Sequence, residues 1–152
     1  MKTSPLLVLA VLLVPVATTA VAVTPAQMIK VRHHNFEAMG RAMKGLFNEL
    51  RKPAPNFAVF KANTAVLVNA APRIANHFPK GSGPDAGLKT EALPAIWARP
   101  AEFSAAANRL VGTTQVLQAA VAGGDAVKVK MAAGEVGGAC KNCHDSFRKP
   151  RG

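Results

Sequence analysis

The sequence predicts an all-α protein, an antiparallel four-helix bundle. Two observations carry this fold class. Strand alternation is almost absent, and apolar residues recur with a period of 3 and 4 in four separate stretches. Two of the connections between these stretches are short and one is long, which suits neighbouring helices that run antiparallel.

The first helix starts at Pro25, because proline fits a first turn whose N–H groups have no intrahelical acceptor. Ile29, Arg32, Phe36, Met39, Met43, Leu46 and Leu50 follow at spacings of 3, 4, 3, 4, 3 and 4, and Pro53 and Pro55 end the helix. Asn56 caps the second, in which Phe57, Phe60, Thr64, Leu67, Ala71, Ile74 and Phe78 repeat the pattern. Residues from Pro79 to Pro100 begin with clustered glycine and proline, so they read as one long loop holding the single tryptophan, Trp97. A loop of that length in a compact domain points to a functional role or a wrapped ligand. The third helix begins near Pro100, carries Phe103, Ala107, Leu110, Thr114, Leu117 and Val121 on one stripe, and stops at Gly123-Gly124. Asp125 caps the fourth, expected to run to about Lys149 before Pro150.

Ahead of the first helix, Lys2, the apolar run from Leu6 to Val16 and the small residues ending Ala20-Val21-Ala22 have the three parts of a secretory signal peptide. The apolar run is about half of the ~20 residues a bilayer span requires, which disfavours an uncleaved anchor. The expectation is a signal over residues 1–22, export to the periplasm, no membrane attachment after cleavage, and a single domain over residues 23–152. The whole chain has 19 Lys and Arg against 8 Asp and Glu; without Lys2 the formal charge is +10. Few aromatics, scattered basic residues and an export signal argue against nucleic acid. A basic surface that is merely solvated and one that docks an acidic redox partner both remain open.

The fourth helix contains Cys140-Lys141-Asn142-Cys143-His144. Residues i, i+3 and i+4 share a helix face, so two thiols and an imidazole project together. That is what covalent haem attachment needs: two sulfurs for two vinyl groups and a nitrogen for the iron. Val129, Ala133, Val136, Cys140, Cys143 and Phe147 form one stripe, which puts the porphyrin in the bundle interior. A thioredoxin-like pair belongs at the start of a helix after a strand, in an alternating fold. A zinc site lacks a second Cys or His pair at ligand spacing, although His33, His34 or His77 could add one ligand. An inert disulfide leaves His144 unexplained. The expected cofactor is therefore one haem c, bound through Cys140 and Cys143 and ligated by His144. Arg32 is the outlier on its stripe, since a guanidinium is costly to bury without an anion. It either reaches solvent with its stem packed or meets a buried acid such as a haem propionate.

The segments Lys30-Val31-Arg32, Ala95-Ile96-Trp97 and, above all, Gly137 to Lys149 resemble the cytochrome c′ family of class II c-type cytochromes. The resemblance implies a four-helix bundle with the haem motif near the C-terminus and His144 as proximal ligand. It implies that Arg148 is the basic residue near that ligand, that Arg32 lies by the propionates, and that Phe36 faces the distal side of the iron. Low-spin relatives of the cytochrome c-556 type carry a methionine at that distal position. Phe36 cannot coordinate, which implies a five-coordinate, high-spin iron with a crowded face open to small ligands. The competing arrangement has Met39 or Met43 as sixth ligand and a low-spin electron carrier, although thioethers are common core fillers. The family further implies NO and CO binding and pairing of two copies through the first helices. An enzyme such as a peroxidase is disfavoured, because Phe36 supplies no acid–base group.

Overall fold

The computed structural model describes residues 23–150, so the signal expected over residues 1–22 lies outside the described residues. Among the described residues there are five α-helices: α1 (Pro25–Leu50), α2 (Phe57–Ala70), the single turn α3 (Ala95–Ala98), α4 (Pro100–Ala122) and α5 (Ala126–Phe147). The four long ones close a ring in which α1 packs on α2, α2 on α4, α4 on α5 and α5 back on α1. None of the described helices is long and apolar enough to cross a membrane.

The helix starts follow from their caps. Thr24 accepts the Gln27 N–H at 3.2 Å while the Gln27 side chain accepts the Thr24 N–H at 2.8 Å, a reciprocal box ahead of Pro25. Asn56 accepts from the Ala58 N–H, and Asp125 from those of Val127 and Lys128. The turn between α1 and α2 is held by a residue that its position did not advertise. Glu49 is buried, accepts the Asn56 N–H at 2.8 Å and pairs with Lys52 at 2.7 Å. These two bonds, Lys52 first, hold its carboxyl below the usual carboxylate range.

Two expected boundaries are corrected. The second helix does not continue to Phe78: the chain tightens into a 3₁₀ segment over Ala71–His77. Pro72 is the cause, because it lacks an N–H and its ring crowds the carbonyl four residues back. Ala71 and Ile74 still reach the core. The last helix stops at Phe147, not at Lys149. Arg148 is extended (φ −127°, ψ 145°) and pairs antiparallel with Ala92. The pairing is held by Leu93 N–H to the Phe147 carbonyl at 3.0 Å and Lys149 N–H to the Glu91 carbonyl at 2.8 Å. Pro150 also biases Lys149 away from the helical region. The long loop is therefore partly ordered. It contains a 3₁₀ turn at Pro84–Ala86 and then α3, whose Trp97 donates its indole N–H to the Phe78 carbonyl at 3.1 Å.

The four stripes meet as the periodicity predicts, with Leu46, Phe60, Leu67, Leu117, Val129 and Val136 almost fully buried. The antiparallel order puts the two short connections at one end of the bundle. The other end gathers the start of α1, the 3₁₀ segment after α2, the start of α4 and the end of α5. The α1–α5 seam is the loosest of the four helix contacts, and it is there that the interior opens.

His77 is buried in the 3₁₀ segment, and its Nδ1 has no hydrogen-bond partner among the described residues. Burial, then the charges of Arg73 and Arg32, push its pKa below the ordinary 6.5. The folded chain therefore refuses a proton that the unfolded chain accepts. Its contribution to stability is complete above about pH 6.5 and is lost as the pH falls toward the lowered value, at up to ~1.4 kcal/mol per pH unit. Urea midpoints should fall between pH 6.5 and 5, and His77→Gln should flatten that slope; equal slopes in both proteins would exclude His77 as the source.

Candidate haem site

A cavity of about 800 Å³ occupies the loose seam, walled by α1, the 3₁₀ segment, the start of α4 and the end of α5. Its lining is mainly apolar and includes Phe36, Met39, Ile74, Phe78, Phe103 and Leu110. All six residues singled out from the sequence border it: Arg32, Phe36, Cys140, Cys143, His144 and Arg148.

Cys140, Cys143 and His144 share one face of α5 and are half-buried. The two thiols are free. Burial raises the pKa of Cys140, and burial followed by the neighbouring Cys140 pushes Cys143 up to about 11. Thiols held protonated at neutral pH do not suit a reactive redox pair. Among the described residues no group of three or more His, Cys, Asp or Glu is placed to hold a metal ion. His33 and His34 are exposed at the cavity mouth, each 3.6 Å from Glu37, and His77 is not part of the wall.

Phe36 faces His144 across the cavity, with ring centroids 6.4 Å apart and planes at 70°. At that separation the two rings meet edge to face, so α1 and α5 bring Phe36 and His144 to the same part of the cavity. Phe36 belongs to a run of aromatic contacts, to Phe78 at 6.3 Å, from Phe78 to Phe103 at 4.9 Å, and on to Phe147 at 5.3 Å. This wall holds Phe36 in place by packing alone. Met39 and Met43 line the same side further along α1, and the Met39 sulfur is 3.9 Å from the Asn35 amide nitrogen. Gly137 adds a flat stretch of wall. A Cβ there would meet nothing within 4 Å, while a helix-interior glycine costs about 1 kcal/mol relative to alanine. The bare backbone leaves that stretch of wall open to a flat apolar group.

Arg32 does not reach solvent. It is 4% exposed and donates to the Ser82 Oγ at 3.0 Å, the Ser82 carbonyl at 2.9 Å and the Thr90 Oγ1 at 2.6 Å. Its guanidinium also stacks over Phe78 at 4.6 Å. All of these partners are neutral, and burial lowers its pKa from the ordinary value. A buried cation bordering a cavity with no carboxylate bonded to it is a site for an anion. An apolar macrocycle with acidic arms fits both the wall and this charge, so the residues present fit haem. Arg148 lies one turn beyond His144, where it caps the end of α5 and donates its backbone N–H to the His144 carbonyl at 3.0 Å. Sequence reasoning missed Ser82 and Thr90, the acceptors that hold Arg32. The only available signal was the unexplained length of their loop.

A family model described as cytochrome C′ matches residues 27–148. The cytochrome c′ of Rubrivivax gelatinosus is 48% identical over 69 residues, 45% of this chain and 54% of that one. One solved cytochrome c′, noted for an unusual ligand-controlled dimer dissociation, superposes with a TM-score of 0.79 at 28% identity, covering 85% of this chain and 99% of the other. The nitric oxide complex of a cytochrome c′ variant from Alcaligenes xylosoxidans superposes with a TM-score of 0.75 at 29% identity, over 83% and 97% of the two chains. The matched span runs from the start of the α1 wall that carries Phe36 to the end of the helix that carries His144, and on it the chain belongs to the cytochrome c′ family.

Proposed function

We propose that this chain carries one haem c, joined through Cys140 and Cys143 and ligated by His144, and that it binds a diatomic gas such as NO or CO. When bound, the haem supplies an iron that can change oxidation state and take a small ligand on a face left open. The protein's own residues support that reading. Phe36 opposes His144 at 6.4 Å and has no donor atom, so it crowds the distal side without closing it. This single contact carries the proposal. The nitric oxide complex of the Alcaligenes xylosoxidans relative agrees with it. Phe36 also offers no group to move a proton, which favours a binding protein over an enzyme.

Electron transfer is a second role. Lys30, Lys89 and Arg148 at the cavity mouth, against Glu37 and Glu91, favour an acidic redox partner. Exposed apolar Val31 and Phe47 on α1 and Val66 on α2 support pairing of two copies. Periplasmic location, with residues 1–22 removed and residues 23–152 as the mature domain, rests on the charged, apolar and small-residue order of the N-terminus.

The test is the absorption spectrum of the reduced protein with and without NO and CO. A high-spin spectrum that changes with either gas is expected. A low-spin spectrum indifferent to both would favour the electron carrier with Met39 or Met43 as sixth ligand, since both line the cavity.

A further inference from the structure

We propose, building on that haem-binding reading, that Thr90 is a carboxylate-binding residue: its hydroxyl donates to a haem propionate beside Arg32. The case is one of hydrogen-bond capacity. A threonine hydroxyl has two acceptor sites and one proton. Both acceptor sites of Thr90 are taken, by an Arg32 N–H at 2.6 Å and by the Ala92 N–H at 3.1 Å. Among the described residues nothing accepts its own proton, and Thr90 lines the cavity.

Ser82 is different. It accepts from Arg32 at 3.0 Å and spends its proton on the Pro79 carbonyl at 2.8 Å, so it is an anchor with nothing left to offer. Arg32 has spent three of its five N–H donors on Ser82 and Thr90; the Nε–H and one Nη1–H have no acceptor among the described residues. A buried cation with donors to spare and a neighbouring hydroxyl with only a proton to give make complementary halves of one carboxylate site. Charge-assisted bonds of this kind are the strong ones. The long loop then has a purpose: it brings Thr90 across to a residue 58 positions earlier in the chain.

Removing the hydroxyl should leave more negative charge on the carboxylate, which favours the ferric state. In the holoprotein, Thr90→Val should lower the midpoint potential, raising the ferric-to-ferrous ratio severalfold at a fixed electrode potential. Thr90→Ser, which keeps the hydroxyl and its acceptor sites, should restore the wild-type value. An unchanged potential in Thr90→Val, or a shift as large in Thr90→Ser, would overturn the assignment. Should Thr90→Val fail to fold, a crystal structure of the wild-type holoprotein decides: Oγ1 within hydrogen-bond reach, about 3.5 Å, of a propionate oxygen supports it, and a longer separation overturns it. Wild-type protein without covalent haem would overturn the haem reading as well, and is seen before any variant is compared.

Discussion

Replacing Cys140 and Cys143 together with alanine is expected to abolish covalent haem and to cost the bundle most of its stability. The first effect is chemical, since no other cysteine exists to form a thioether. The second follows from the cavity. Without the macrocycle the apolar wall formed by Phe78, Phe103 and Leu110 faces water, and each such side chain left uncovered forgoes roughly 1.5–3 kcal/mol. Domains are typically stable by only 5–15 kcal/mol or so. The chain is thus expected to hold its native packing only with the cavity filled. Acid-acetone extraction should leave the variant polypeptide colourless while wild-type protein keeps its pigment, and the variant's urea transition should broaden or vanish. Pigment that stays with the doubly substituted polypeptide would refute the attachment through these cysteines.

Phe36→Met is expected to switch the reduced spectrum from high spin toward low spin. The substitution puts a thioether where the ring now faces His144, and methionine is unbranched and flexible enough to adapt to the space. Gas binding should weaken in parallel. If the new thioether occupies the iron in nine molecules out of ten, the apparent affinity for CO falls about tenfold, in proportion to the open fraction that remains. Phe36→Leu is the control: it has no donor atom and should stay high-spin with CO affinity of the same order. A Phe36→Met protein that remains high-spin and binds CO normally would remove Phe36 from the distal position and turn attention to Met39 and Met43.

The parts of this protein that were legible in the chain are the local ones. Cys140, Cys143 and His144 share a face by helix geometry, and the 3-and-4 spacing of Leu46, Phe60, Leu117 and Val136 marks core without knowledge of the partner helices. Caps such as Asn56 and Asp125 are also local, because each bonds an N–H two or three residues on. Helix ends were legible only where a cap or breaker acts alone. Pro72 leaves no visible break in the pattern, because Ala71 and Ile74 keep the stripe going through the 3₁₀ segment. The last turn of α5 gave way to a backbone pairing with Ala92, more than fifty residues earlier.

By itself, then, the sequence determined the four-helix class, the face of the last helix that presents two thiols and an imidazole, and the carbon ring at position 36. Each is a matter of spacing along one helix or of a side chain's own chemistry. Only the tertiary structure decided which wall faces His144, that Arg32 is buried among neutral acceptors, and that Ser82 and Thr90 are those acceptors. A hydrogen bond between residues fifty or more positions apart depends on how the loop closes, and no local period encodes that closure.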